Sequence, residues 1–132
     1  MKTLPGINIQ YPISRRIIDG SKCIETRTYP LPKQYEGKDL YIVETPGPSG
    51  DFRARIIGVI RFSKSFKYES KKSFQNDFHK HLVDSNSPYA WKSKAKWGWV
   101  IERVIPLSKE VKAPPRRGIV FTKAIGLEAR LQ

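Results

Sequence analysis

The sequence predicts a single α+β domain, mainly β, spanning residues 1–132: a small barrel of five or six strands flanked by two or three helices. Three observations predict it. Short alternating apolar–polar runs recur along the chain, at Ile7/Ile9, Lys22–Thr28, Leu40–Thr45, Arg53–Phe66, Trp97–Ile105 and Gly118–Thr122. Apolar residues fall at helical spacing in only two places. No repeating βαβ rhythm and no phosphate-binding glycine signature organises the chain, which favours a mainly antiparallel arrangement with helices outside it.

The first unit reads as strand, helix, strand. Ile7 and Ile9 alternate with polar neighbours as in a half-buried strand. Pro12 suits a first helical turn, where its missing N–H would be unpaired anyway. Ile13, Ile17 and Ile18 form one stripe, and Gly20 can close the helix in a left-handed conformation. Lys22–Thr28 alternates again.

Residues 29–38 hold two prolines and a glycine and are expected to form a loop. Leu40–Thr45 is a short apolar strand, and 46–50 (Pro-Gly-Pro-Ser-Gly) is a turn. In the long run that follows, alternation places Ala54, Ile56, Gly58, Ile60 and Phe62 on one face. Arg53, Arg55, Ile57, Val59 and Arg61 take the other. Gly58 in mid-strand marks a bulge or sharp bend. Phe74, Phe78 and Leu82, four apart, predict one amphipathic helix over Ser70–Val83, with Lys71, Asn76 and Lys80 opposite. Trp97–Ile105 and Gly118–Thr122 are the closing strands, separated by the 113–117 linker (Ala-Pro-Pro-Arg-Arg).

Charge narrows the partner. Lysine and arginine number 25 against 12 acidic residues, a net charge of +13. A domain this basic gains counterion-release free energy on nucleic-acid phosphates. A membrane surface is the competing polyanion, but no basic amphipathic helix, lipidation signal or apolar span is visible. The chain lacks a charged-then-apolar leader pattern, so a soluble, cytoplasmic monomer is expected. Cys23 is the one cysteine, which excludes an internal disulfide and a cysteine-cluster metal site. His79 and His81, two apart, point to different sides of a helix and read as solvated. Neither a metal nor a cofactor is expected.

The densest chemistry lies in residues 20–27, Gly-Ser-Lys-Cys-Ile-Glu-Thr-Arg. As a strand, this puts Cys23, Glu25 and Arg27 on one face and Lys22, Ile24 and Thr26 on the other, with Lys22 at the mouth of the cleft beside the first helix. Glu25 and Arg27 can pair or bracket a polar ligand edge. A surface strand with alternating charges explains the same spacing.

Gly20-x-Lys22-x-x-Glu25-x-Arg27 resembles the G-x-K-x-x-E-x-R signature of the ASCH domain, a branch of the PUA-like superfold. The Tyr11-Pro12 helix start and Ile17-Ile18-Asp19-Gly20 resemble that family's first helix. Leu40-Tyr41-Ile42-Val43 resembles its second core strand, and Trp97-Gly98-Trp99-Val100-Ile101, Pro106-Leu107 and Gly118-Ile119-Val120 its closing strands. The resemblance covers nearly the whole chain. It implies a PUA-like barrel with a cleft beside the first helix and a role in binding RNA or a nucleobase. Some relatives hydrolyse acetylated cytidine and others are described as ribonucleases. The amidohydrolase branch uses a lysine, a threonine and a glutamate. Lys22 matches the lysine, Glu25 stands in the threonine's place, and the second acid has no matched position. The full Lys-Glu-Arg signature fits the other branch better.

Candidate site residues follow. If the protein is an enzyme, Lys22 is the reactive acid–base or nucleophilic group, with Glu25 beside it and Arg27 stabilising a developing anion. The nucleic-acid-binding set is Gly20, Ser21, Lys22, Arg27, Tyr11, Arg53, Arg55, Trp91, Lys94, Arg116 and Arg117. Trp91, Trp97 and Trp99 interleave with Lys92, Lys94 and Lys96, a pattern that serves stacking and phosphate contact. At least one of Trp97 and Trp99 is expected to fill the interior, leaving Trp91 as the stacking candidate. The expected partner is RNA, single-stranded nucleic acid or a modified nucleoside. Three functions compete: a nucleic-acid-binding module, a metal-independent hydrolase of RNA or a modified nucleoside, and a basic adaptor for an acidic protein surface.

Overall fold

Six strands and three short helices organise the computed structural model, which describes residues 2–48, 50–115 and 117–127. In chain order they are β1 (Lys2–Gln10), α1 (Ile13–Ile18), β2 (Ile24–Arg27), β3 (Asp39–Thr45), β4 (Arg55–Lys67), α2 (Lys71–Asn76), α3 (Phe78–His81), β5 (Trp97–Lys112) and β6 (Phe121–Leu127). One 3-10 turn, Lys33–Tyr35, interrupts the loop expected there. The fold is α+β and mainly β, as the sequence predicts.

The strands form one mixed sheet in the order β2-β5-β4-β3-β1-β6. β1 and β3 run parallel and every other neighbouring pair is antiparallel. The ladders stop short of closure: among the described residues β2 and β6 do not pair, so the sheet is not a closed barrel. Side chains complete what the ladder does not. Arg27 Nη2 on β2 donates to the Asn8 carbonyl on β1 at 3.2 Å. The main core gathers Ile7, Ile9, Ile17, Ile42, Phe62 and Trp99 from five different elements.

β4 carries the predicted bulge. Against β3 its register slips between Ile56 and Gly58, which face Val43 and Ile42, and the one extra residue, Ile57, reverses the pleat beyond it. Ile57 therefore joins Ile60 and Phe62 in the main core, while Ile56 joins Val59 in a second cluster with Val43 and Leu107. Strict alternation had Ile56 and Ile57 the other way round. A Cβ on Gly58 would lie 2.8 Å from the Ile105 carbonyl oxygen and 2.9 Å from Ile18 Cδ1, so glycine is what lets α1 seat against the sheet. Pro106 faces Gly58 across the irregularity in the β4–β5 ladder, which resumes at Val111 opposite Ile56, so β5 runs to Lys112 instead of ending at Ile105.

The helix predicted over Ser70–Val83 is two pieces. A reciprocal Ser70–Ser73 capping box starts α2, and Asp77, whose Oδ2 accepts the Tyr68 hydroxyl at 2.8 Å, sits between α2 and α3. The break rotates the apolar stripe. Phe74 stays buried but Phe78 is 45% exposed, and His81 takes the inner place at 0%, its ring stacked on Phe74 at 4.2 Å. Only His79 is exposed as expected; His81 is not solvated.

The last strand also starts later than predicted, at Phe121. Asn8 claims the residues before it: its Nδ2 donates to the carbonyls of Gly118 and Ile119, both at 2.9 Å, and its N–H donates to Val120 O at 2.8 Å. Trp99 is fully buried and edge-on to Phe62, while Trp97 is half-buried against the same core.

Candidate functional site

α1 ends on a left-handed Gly20 (φ 84°), and the Lys22 N–H reaches back to Arg16 O at 2.9 Å. The Ser21 N–H donates to Asp19 Oδ1 at 2.8 Å. This turn, rather than a strand pleat, aims Lys22 inward. Cys23 N–H then bonds Lys80 O of α3 at 2.9 Å, and β2 pairs with β5 so that Glu25 faces Trp99 across the ladder. Lys22 precedes β2, so it escapes the alternation that put it on the face opposite Glu25.

The three charged side chains converge. Lys22 is 3% and Glu25 6% exposed, and Lys22 Nζ lies 3.7 Å from Glu25 Oε1. Lys22 Nζ also donates to the His81 carbonyl in a short hydrogen bond. Arg27 donates to Glu25 Oε2 from Nη2 at 2.9 Å and from Nε at 3.2 Å, with its guanidinium 5.4 Å from the Trp99 ring centre. Glu25 thus sits between two cations.

Burial pushes the Lys22 ammonium below the usual lysine range, partly opposed by Glu25 and reinforced by the like charges of Arg16 and Arg27. Burial acts to lower Arg27, but Glu25 and Tyr29 together outweigh it and the net direction is upward. His81 is held below its ordinary value by burial, with the Lys22 charge acting the same way.

The trio lines a recess of about 280 Å³ whose other walls include Asn8, Gln10, Thr26, Tyr89 and Ile119. Ile119 is 96% exposed at its edge. With its amide nitrogen committed to the 118–119 carbonyls, Asn8 Oδ1 is buried without a hydrogen-bond partner among the described residues. A second recess, about 470 Å³, adjoins the first and shares Gln10, Ile13, Lys22, Val83 and Tyr89 with it. Where the two meet, the Tyr89 hydroxyl donates to Gln10 Oε1 at 2.6 Å.

Sequence reasoning named Lys22, Glu25 and Arg27, and the structure brings them together. Gly20 and Ser21 shape the turn that delivers Lys22 but line neither recess. Tyr11 lines the second recess, its ring edge-on to Phe52 at 5.5 Å. Arg53 and Arg117 meet elsewhere, in a groove with Pro46 and Lys112. Arg55 is engaged by Glu44 at 2.8 Å and Glu110 at 3.5 Å, and Arg61 by Asp39 at 2.9 Å, so these two β4 arginines are held by carboxylates. Trp91 is half-buried, 6.0 Å from Phe74, in a shallow hollow of its own. Lys94 is exposed and lines neither recess, and Arg116 lies outside the described residues.

Sequence reasoning missed Asn8, Gln10, Tyr89 and Ile119. Asn8 is a polar residue between two core isoleucines, which reads as an ordinary outward position. Tyr89 lies outside any strand or helix, where periodicity carries no signal, and Ile119, read as part of the last strand, precedes β6.

The open mixed sheet and the helix leaning on it form an ASCH-like fold. The chain superposes on the crystal structure of ASCH from Zymomonas mobilis with a TM-score of 0.68, at 13% identity, covering 90% of this chain and 85% of that one. Structures of two single-residue variants of the same Zymomonas mobilis protein agree, with TM-scores of 0.67 and 0.66 at 14% and 13% identity. Each covers 90% of this chain, and 86% and 88% of theirs. No protein-family model and no curated protein matches the sequence. Among the described residues, no helix is long and apolar enough to cross a membrane.

Proposed function

We propose that the protein binds RNA, another single-stranded nucleic acid or a modified nucleoside, with a base entering the recess beside α1. The observation that carries this reading is the convergence of buried Lys22, Glu25 and Arg27 on one recess in a chain of net charge +13. A recess of about 280 Å³ suits a single base or nucleoside rather than a duplex. Lys22 and Arg27 supply donors to an anionic or carbonyl edge, and Glu25 holds both in place. Tyr89, 42% exposed, offers an aromatic face beside the recess.

The test is titration of single-stranded oligonucleotides and nucleosides against the wild type and a Lys22→Met variant, which keeps the side chain's bulk. Binding by the wild type and at least a tenfold loss in the variant, on the scale of about 1.5–3 kcal/mol for a hydrogen bond to a charged group, is the expected result. Equal affinity in the two proteins overturns the reading.

A second reading, hydrolysis of RNA or of an acylated nucleoside, is favoured by the burial that lowers Lys22. Lowering raises the neutral fraction of the amine, the form that can take a proton or attack a carbonyl. Turnover of labelled RNA or acylated cytidine by the wild type, abolished in Lys22→Ala with the fold retained, supports it. Absence of turnover in the wild type removes it.

A further inference from the structure

The two adjoining recesses have different chemistry. The first is closed around the Lys22–Glu25–Arg27 cluster, whereas the second is larger and bounded by Tyr11, Arg16, Asp84 and Pro88. Arg16 stands apart from the arginines around it. Arg15, Arg27, Arg55 and Arg61 each grip a carboxylate, but Arg16 makes no ion pair among the described residues. It lies on α1, its backbone carbonyl holding the Lys22 N–H, and it faces the second recess together with Lys22.

Two like charges lining one recess, one of them buried, are unfavourable in the free protein, and an anion bound between them relieves that cost. Burial is the main cause that depresses Lys22, and the Arg16 charge adds to it, so the two groups sense one another. The Tyr89–Gln10 hydrogen bond at 2.6 Å is the bridge over the junction, and both partners reach water.

We propose that the second recess is a neighbouring-nucleotide subsite. A single strand seats one base in the first recess, passes its internucleotide phosphate between Lys22 and Arg16, and lays the next nucleotide against Tyr11. This inference rests on the reading of the first recess as a base site and names the ligand more closely: a strand of at least two nucleotides, not a free nucleoside. Tyr11 supplies a ring for the second base, and Asp84 on the far rim repels a phosphate placed beyond the junction.

The experiment compares a nucleoside, its 5′-monophosphate, a dinucleotide and a tetranucleotide by calorimetric titration with intact wild-type protein, Arg16→Gln and Arg16→Lys. The dinucleotide is expected to bind about tenfold more tightly than the nucleoside, the gain of one charge-assisted phosphate contact. Arg16→Gln removes that gain and leaves nucleoside affinity unchanged, while Arg16→Lys restores most of it. The slope of log K against log salt for the dinucleotide flattens by about 0.7 in Arg16→Gln, one phosphate contact on a single strand. Equal affinity for nucleoside and dinucleotide, or an Arg16→Gln loss that is the same for both, overturns the subsite while leaving the base site standing. Failure of every ligand to bind overturns the base site, and the subsite with it.

Discussion

His81 shows how one buried side chain ties the site to pH. Its two ring nitrogens are both used: Nε2 pairs with the Phe74 carbonyl at 2.7 Å and Nδ1 with the Val83 N–H at 2.9 Å. Those partners require Nε2 to carry the proton and Nδ1 to accept, so the folded state needs the neutral ring. Burial first, and then the Lys22 charge, lower its proton affinity, with Asp77 opposing and His79 adding to the effect. Because the folded pKa lies below the unfolded value of about 6.5, the unfolded chain binds more protons in the interval between them. Stability is therefore fully present above pH 6.5 and declines as pH falls toward the folded value. Thermal unfolding should show a falling melting temperature between pH 7 and 5, and a His81→Gln variant should flatten that interval. Glu44 acts in a separate range. Burial raises it, but Ser14, Arg55 and Arg15 outweigh burial, so its contribution is present above pH 4.5 and lost as pH falls through its lowered value. A wild-type profile flat from pH 7 to 5 would show that His81 does not titrate with unfolding.

At the scale of elements, α1 positions the site and Glu44 positions α1. The Glu44 carboxylate, fully buried at the end of β3, accepts from Ser14 Oγ at 2.5 Å and from Arg15 Nη2 at 2.9 Å on the helix, and from Arg55 Nε at 2.8 Å on β4. Removing one member of such a cluster leaves the others unmatched. Glu44→Ala is expected to cost about 3 kcal/mol, the lower end for a broken buried pair because both arginines also reach water. It should also weaken ligand binding, since α1 delivers Lys22. Chemical denaturation measures the first effect and titration the second; a loss of stability with binding intact would show that α1 holds its place without the clip.

The boundaries of α1 and β3 and the start of β5 were legible in the sequence because local signals set them, as Gly20 closes the helix, whereas β2 begins at Ile24 and not at Lys22. Lys22, Glu25 and Arg27 were legible for the same reason, being neighbours in one short segment. The side of the pleat was not. A single extra residue at Gly58 exchanged Ile56 and Ile57, and Lys22 lies in a turn that alternation does not govern. The break at Asp77 depends on a hydroxyl from Tyr68, nine residues away and on the β4 side of the hairpin. Asn8 and Gly118 are 110 residues apart, and no periodicity encodes their bond.

Across the whole molecule, the charge excess is carried by lysines more than by arginines. Arg15, Arg27, Arg55 and Arg61 are engaged by carboxylates, whereas Lys64, Lys67, Lys71, Lys72, Lys92 and Lys94 are exposed. Exposed lysines attract phosphates without reading bases, so they set affinity and its salt dependence rather than selectivity. On the proposed reading the recess makes the opposite contribution, holding a base by buried, shaped contacts whose strength depends little on salt. Oligonucleotide affinity should fall with added salt by a slope near 0.7 per phosphate contact, while the affinity of an uncharged nucleoside changes little. A Lys92→Gln/Lys94→Gln double variant tests whether the 83–96 segment, which also carries Tyr89, lies along the strand's path. On that path each lysine removes up to about 0.7 from the slope without touching nucleoside binding. An unchanged slope would take the strand away from this segment and leave Arg53, Lys112 and Arg117, whose groove Pro46 also lines, as the phosphate track.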